Sequence, residues 1–430
     1  MRRCSFVAIS RLSKPLPHSS PVKGLLLILE VTAVLEKLLC HDTWREFLKY
    51  KTSGRLLSSA EEKKLSEYIE NRRYLPVAEQ VASGGFRFSV PEKKELNKQG
   101  TTKKRVIYCF PEDENILLKM IAYMLYRYDC VIPDNCFSFR RDTGARDAFI
   151  GMTKQPEING LWGFKADISN YFNSIDVSML VPVLREVICD DDGLLQLMID
   201  LLSDDRAIWQ GEVIREKRGV MAGTPTSPFF ANIYLREMDE FFAERNVLYA
   251  RYSDDIIIFG GRDETEESIR TYRGFLEKYG LVSNPSKEQR FAPGESWSFL
   301  GFEYRNGTVD ISRAASGKLL DKIRRGAKSV RRWMLKKGAS PERALTAFNR
   351  RFNRKFYDTA SGRELCWCRW YFPMINTDAT LRYIDRYMQD WQRYIVTGKH
   401  NKANYRKVPY SVLKDCGYRP LVAEYYRRDK

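Results

Sequence analysis

"YARYSDDIIIF" runs from Tyr249 to Phe259. Two runs with β-branched and aromatic character flank a tight polar break, so the stretch predicts a hairpin. Asp254 and Asp255 sit at that break. Asp is common in turns, where its charge meets water. Two adjacent carboxylates between apolar strands can also be held rigidly and aimed together at a cation. A second acid decides between these readings. "LWGFKAD" predicts a strand from Leu161 that ends at Asp167. Hard divalent cations bind a few carboxylates together with substrate phosphates. Acidic strand ends from two separate parts of the chain are the minimum for such a site. The competing acid runs, Asp190–Asp192 and Asp204–Asp205, lack flanking β-runs and are expected to be solvated loops.

The rest of the 430-residue chain frames these acids. The hydrophobic share of 43% suits a globular protein with sizeable cores. Net charge is +17, yet residues 313–430 alone hold 29 basic and 10 acidic residues, a local excess of +19. That basic third is rich in Trp and Tyr, which suits a polyanion such as nucleic acid. Histidine occurs only at 18, 41 and 400, and the nine cysteines form no CxxC pair. A zinc site and a disulfide scaffold are therefore not expected, and the cysteines read as reduced core residues of a cytoplasmic protein. "GLLLIL" (24–29) is too short to span a membrane, and residues 1–30, with Pro15, Pro17 and Pro21, are expected to form a tail.

Four stretches occur in order: "FKADISNYFNSID" (164–176), "RGVMAGTPTSPFFANIYL" (218–235), "YARYSDDIIIFG" (249–260) and "NPSKEQRFAPGESWSFLGFEY" (284–304). Together they resemble the palm motifs of reverse transcriptases, over about residues 90–305. The resemblance implies an α+β right-hand polymerase with fingers, an antiparallel ferredoxin/RRM-like palm and a helical thumb. The implied divisions are N-terminal helices and fingers at 31–160, a palm at 161–305 with a fingers excursion near 177–218, a thumb at 312–396 and a basic tail at 397–430.

Roles follow from the matched positions. Asp167, Asp254 and Asp255 would hold two Mg²⁺ ions. Lys287 would protonate the leaving pyrophosphate. Phe172 would exclude a ribose 2′-hydroxyl. Lys103, Lys104 and Arg105 would meet the nucleoside triphosphate, beside Ala222 and Gly223. "FLGF" supplies a primer grip from Phe299, Leu300 and Gly301. Many relatives carry Gln where Ala222 stands, so a side-chain contact to the incoming nucleotide is expected to be lost here. Apolar residues Leu319, Ile323, Ala327, Val330 and Met334 share one predicted helix face. The same helix offers Arg324, Arg325, Arg331 and Arg332 to nucleic-acid phosphates.

The implied activity is RNA-directed DNA synthesis from deoxynucleotides, with an RNA template and a cDNA product. No endonuclease, integrase or RNase H pattern follows the basic helices. "AGTPTSPF" and "GYRPLVAEYY" are most similar to compact bacterial reverse transcriptases of the unknown groups. Many of those act in anti-phage defence, which suggests copying of a dedicated noncoding RNA. Retron-like, diversity-generating and free-standing group II intron-type enzymes are the alternatives. Two further classes stand beside them: an RNA-templated RNA polymerase, and a catalytically silent nucleic-acid-binding protein. Phe172 and the Tyr-x-Asp-Asp form argue against the first, and three converging acids argue against the second.

Overall fold

The computed structural model describes residues 34–53, 57–97, 104–245, 247–357 and 366–427. The expected tail at 1–30, Lys103 and residues 428–430 lie outside these. Helices His41–Ser53, Ser59–Glu70 and Leu75–Ala82 lead into a hairpin of β1 (Glu92–Asn97) and β2 (Lys104–Cys109). Helix Ala145–Thr153 precedes β3 (Trp162–Asp167). Helices Val177–Val187 and Asp192–Ser203 then reach a second hairpin, β4 (Arg206–Trp209) and β5 (Glu212–Arg215). These strands close a four-stranded sheet in the order β2-β1-β4-β5. The excursion after β3 therefore returns to the sheet begun by β1 and β2.

The chain continues through helices Ser227–Tyr234 and Arg236–Glu244 to β6 (Leu248–Tyr252) and β7 (Asp255–Gly260). Helix Arg262–Lys278 and β8 (Gln289–Phe291) complete a β-α-β-β-α-β path. Its sheet has the order β6-β7-β3-β8 and every pairing is antiparallel. This is the ferredoxin-like arrangement. The stretch 227–242 forms two helices and not one, because Leu235 leaves helical geometry at ψ 15°.

Alternation along the strands splits the core between the two faces of this sheet. Phe164, Ala166, Ile256 and Ile258 join the apolar core shared with the N-terminal helices. Ile257, Phe259 and Phe291 join a second core shared with the C-terminal helices. Gly163 lies between Phe259 and Phe291 on the neighbouring strands. A Cβ there would stand 2.6 Å from the Phe259 ring and 2.9 Å from Phe291. Only glycine lets both rings cross the strand.

A meander of β9 (Trp297–Phe299), β10 (Phe302–Arg305) and β11 (Thr308–Ile311) leads to helix Arg313–Lys337. Ser312 caps that helix through the Ala315 N–H, and Gly338 closes it at φ 59°. Leu319, Ile323, Ala327 and Met334 are buried on one stripe. Opposite stand Leu345, Phe348 and Phe352 of helix Pro341–Tyr357, and Leu381, Ile384 and Met388 of helix Ala379–Thr397. The whole is an α+β right-hand polymerase fold: an antiparallel palm, a fingers sheet above it and a helical thumb. No helix among the described residues is long and apolar enough to cross a membrane.

Two local readings need correction. Asp191 is buried, not solvated: it accepts from the Leu194 N–H at 2.8 Å and caps helix Asp192–Ser203. Asp190, Asp192 and Asp205 are exposed as expected, and Asp204 and Asp205 form surface pairs with Arg206 and Arg215 at 2.9 and 2.7 Å. Nor are the cysteines uniformly core residues, since Cys40, Cys130 and Cys189 are exposed.

Candidate active site

The central strands of the palm bring the acids together. β3 and β7 pair antiparallel with Asp167 opposite Asp255 in register. β6 and β7 are joined by a two-residue turn, Ser253–Asp254, because Tyr252 pairs with Asp255. Ser253 takes φ 61°, a left-handed value at a loop position that primed hairpin turns usually give to Gly or Asn. Two contacts hold this strained turn. The Ile168 N–H donates to the Asp254 carbonyl at 3.0 Å, and the Arg251 guanidinium reaches the Ser253 carbonyl at 3.4 Å.

Arg251 is itself fixed from below. It is fully buried and paired with buried Asp239 of helix Arg236–Glu244, with Nε 2.8 Å from Oδ1. Tyr249 donates to the same carboxylate at 2.8 Å, and Arg251 also donates to the Asn232 carbonyl at 3.1 Å. Sequence reading passed over Arg251 and Asp239. A charged residue at a strand position that should face the core was the available signal.

Burial, then the charges of Asp255 and Asp167, pushes the Asp254 carboxyl up to about 6. Burial also raises Asp255, against the opposing pull of Lys165. Like charges are thus pressed together at the strand ends, an arrangement that a cation relieves. Lys287 donates to Asp167 at 2.5 Å. Burial pulls the Lys287 amine down, but the Asp167 hydrogen bond and charge prevail and raise it. Asn284 holds the other Asp167 oxygen at 3.4 Å. Among the described residues no three acidic, His or Cys side chains are placed so that together they could hold a metal ion. The donor set nevertheless suits a hard divalent ion: all oxygen, carboxylate, and mutually repelling without one.

Phe172 is half-buried, with its ring centroid 6.2 Å from that of Phe139. Phe139 in turn lies 6.1 Å from Tyr252. Phe139 is 37% exposed at φ 57°, and sequence reading did not single it out. The Phe172 backbone is fixed by the loop that follows β5. Its carbonyl accepts from the Val220 N–H at 2.9 Å, and a Cβ on Gly219 would stand 2.3 Å from that same oxygen. Gly219 at φ 55° permits this approach. Ala222 is buried, and its carbonyl accepts from the Tyr108 N–H of β2 at 3.0 Å. Gly223, at φ 102°, packs beside Ile107. These two residues tie the loop to the fingers sheet and offer backbone, not side chain, to a ligand.

The remaining sites differ in accessibility. Lys104 is exposed and paired with Glu95 at 2.5 Å, and Arg105 is exposed beside it. Leu300 and Gly301 form a two-residue turn at φ 50° and 94°, with Phe299 paired to Phe302. Phe299 is wholly buried, so its side chain supports this turn and only the tip can touch a primer. Arg325 and Arg332 are exposed, and exposed Arg324 pairs with Asp321 at 2.8 Å. Arg331 departs from expectation. Its guanidinium donates to the carbonyls of Ile395 and Val396 at 2.9 and 3.2 Å, where helix Ala379–Thr397 ends. It is committed to a helix C-terminus, not to phosphate.

Residues 92–304 match the family described as reverse transcriptase (RNA-dependent DNA polymerase). The putative COX1/OXI3 intron 2 protein of Saccharomyces cerevisiae is 22% identical over 293 residues, 53% of this chain. The chain spans 34% of the length of that curated relative. Among solved structures, apo telomerase from Candida tropicalis aligns at TM-score 0.46 and 12% identity, covering 76% of this chain and 59% of that one. Telomerase from Candida albicans, in complex with the TWJ fragment of telomeric RNA, aligns at TM-score 0.41 and 14% identity, covering 81% and 68%.

Proposed function

From the reverse transcriptase domain carried by residues 92–304, we infer that this chain is an RNA-directed DNA polymerase that adds deoxynucleotides to a primer 3′-hydroxyl. The observation that carries the reading is the register of Asp167 opposite Asp255, with Asp254 held beside them in a strained, buried turn. Asp167, Asp254 and Asp255 would hold Mg²⁺. When bound, such ions lower the pKa of the attacking hydroxyl and neutralise the leaving pyrophosphate. The residues around them bind and orient. Arg251 and Asp239 keep the Ser253–Asp254 turn in place. The Lys287 side chain is 56% exposed, so it can leave Asp167 and donate a proton to the departing pyrophosphate. Phe172 stands under the sugar, with Phe139 beside it and Tyr252 next to Phe139. Lys104, Arg105 and Lys103 meet the triphosphate. The tip of the Leu300–Gly301 turn braces the primer end.

The finer reading is a compact bacterial enzyme of the unknown groups, cytoplasmic, copying a dedicated noncoding RNA in anti-phage defence. "AGTPTSPF" (222–229) and "GYRPLVAEYY" (417–426) support it. Retron-like, diversity-generating and free-standing intron-type enzymes are the readings it competes with. The test of activity is primed deoxynucleotide incorporation on RNA. Asp254→Ala with Asp255→Ala is expected to abolish it while leaving the circular dichroism spectrum unchanged. Incorporation retained with ordinary Mg²⁺ dependence would sink the assignment. Sequencing the RNA and DNA that co-purify from cells tests the finer reading; a mixed, non-recurrent RNA population contradicts a dedicated template.

A further inference from the structure

The Leu300–Gly301 turn is backed by two parts of the chain that lie far apart in sequence. Strand β10 leaves the turn at Phe302. The Phe302 ring meets Phe149 of helix Ala145–Thr153 with centroids 5.0 Å apart. It also meets Trp370 and Tyr371 at 6.2 and 5.4 Å. Those two residues end a short thumb helix, Trp367–Tyr371. Tyr371 reaches the turn itself: a Cβ on Gly301 would stand 3.1 Å from its hydroxyl oxygen. Gly301, at φ 94°, leaves that space open. Elsewhere on the turn, the Gly301 carbonyl accepts from the Ser312 N–H at 2.9 Å, where helix Arg313–Lys337 begins.

Apolar burial is non-directional, so ring contacts press the short helix onto the hairpin without fixing how it is turned. Arg146 supplies the direction. It lies on helix Ala145–Thr153, one turn before Phe149. Its guanidinium stands over the Trp370 ring, 4.9 Å from the centroid. It also donates from Nη2 to the carbonyls of Arg369 and Trp370, the latter at 3.0 Å. A guanidinium is planar and always charged, and it can stack on an aromatic face while it donates in its own plane. Arg146 therefore holds both the ring and the backbone of Trp370. Tyr371 follows directly, about 100° further around the helix. A rotation that frees Trp370 from Arg146 also swings the Tyr371 hydroxyl away from Gly301.

We propose that Arg146 is a positioning residue for the primer end. It acts through helix Trp367–Tyr371: the Tyr371 hydroxyl sets the Leu300–Gly301 turn, and the turn places the primer 3′-hydroxyl. The inference rests on the polymerase reading above and adds to it a residue outside the four palm stretches. An arginine in a polymerase invites a simpler role, contact with a nucleic-acid phosphate. The stack on Trp370 and the two carbonyl bonds commit this guanidinium to the protein instead. Its loss should cost rate and not binding, because a reacting group misplaced by about 1 Å can cost about a hundredfold.

The experiment binds the full chain to a primer–template duplex with 2-aminopurine as the primer's 3′-terminal base, in Mg²⁺-free buffer without nucleotide. The wild-type chain is expected to hold that base stacked and its fluorescence quenched. Arg146→Met keeps the stem and removes the donors, so it is expected to lose that quenching. With Mg²⁺ added, its rate at saturating deoxynucleotide should fall by about tenfold or more, while nucleotide KM and duplex affinity stay as in wild type. Arg146→Lys restores a charge and donors beside Trp370 and should recover most of both losses. Tyr371→Phe removes only the hydroxyl against Gly301 and should act in the same direction, which keeps the test open if Arg146→Met does not fold. The double variant should be no worse than Arg146→Met alone, since both changes lie on one path. Wild-type quenching and rate in Arg146→Met or in Tyr371→Phe overturn the inference. So do losses that add in the double variant, an Arg146→Lys chain no better than Arg146→Met, or a loss of duplex affinity that matches the loss of rate. If the wild-type chain binds the duplex and incorporates nothing, the polymerase reading fails, while the quenching of the bound primer still decides the role of Arg146.

Discussion

At the scale of single residues, the Ser253–Asp254 turn is built against its own stability. Asp254 is held where burial and two neighbouring carboxylates raise it to about 6. A group whose folded pKa is raised adds stability at low pH and loses it as pH rises through the folded value. Above about pH 6 the ionised side chain therefore weighs against the ion-free fold, by about 3 kcal/mol. Asp254→Asn is expected to raise the thermal midpoint in EDTA at pH 7.5, and the gain should vanish below about pH 4, where wild-type Asp254 is protonated in both states. Incorporation should be lost in the same variant. A midpoint that does not rise at pH 7.5 would mean that the carboxylates do not repel one another as described. Phe172 offers a second test at this scale. If its ring fills the space of a 2′-hydroxyl, Phe172→Ala raises ribonucleotide use relative to deoxynucleotide in single-nucleotide competition, and an unchanged ratio makes Phe172 a packing residue. The convergence of the acids was legible in the sequence because they stand at strand ends, where the flanking runs want apolar residues. Phe139 was not, because its role depends on a left-handed backbone at φ 57° that no local pattern announces.

At the scale of elements, the site depends on how helix Arg236–Glu244 grips β6. The fully buried Arg251–Asp239 pair joins them, and Tyr249, Asn232 and Ser253 share its remaining donors and acceptors. Breaking one partner of such a pair leaves an uncompensated charge and costs about 3–5 kcal/mol. Asp239→Asn is therefore expected to lower the denaturation midpoint strongly and to weaken incorporation even where the fold persists, since the Ser253–Asp254 turn loses its support. A stable variant with full activity would show that the turn holds itself. Strands were readable where apolar runs met an acid or turn chemistry, as in "LWGFKAD" and "YARYSDDIIIF". The pairing of β1 with β4 was not readable, because it joins residues 92 and 208, far apart along the chain. Nor was the break at Leu235, where a continuous apolar pattern hides the change of backbone direction. Asp191 misled for a related reason. A cap and a solvated acid share the same local composition, and only burial separates them.

At the scale of the whole molecule, charge and packing are divided along the chain. Most of the +19 of residues 313–430 is carried by three helices whose apolar faces close on the second core. The sequence made the basic thumb visible through its 3-4 spacing, but it could not tell which arginines are free. Arg324, Arg325 and Arg331 are near neighbours on one helix and have different fates. Arg331 caps helix Ala379–Thr397, and a Cβ on Gly398 would stand 2.2 Å from its guanidinium. The counterion argument therefore applies to Arg324, Arg325 and Arg332, and not to Arg331. Binding of an RNA–DNA duplex should weaken steeply with salt, with a slope of about 0.7–0.9 in log units per phosphate contact. Replacing Arg324, Arg325 and Arg332 with Gln should flatten that slope by at most three such increments while leaving the thermal midpoint close to wild type. Arg331→Gln should do the reverse, lowering the midpoint by removing bonds worth about 1–2 kcal/mol and leaving the slope nearly unchanged. A salt series on both variants, with melting curves beside it, separates the roles. If Arg331→Gln flattens the slope as much as the triple variant does, the capping arginine also reaches the nucleic acid, and the basic face extends onto the joint between the two helices.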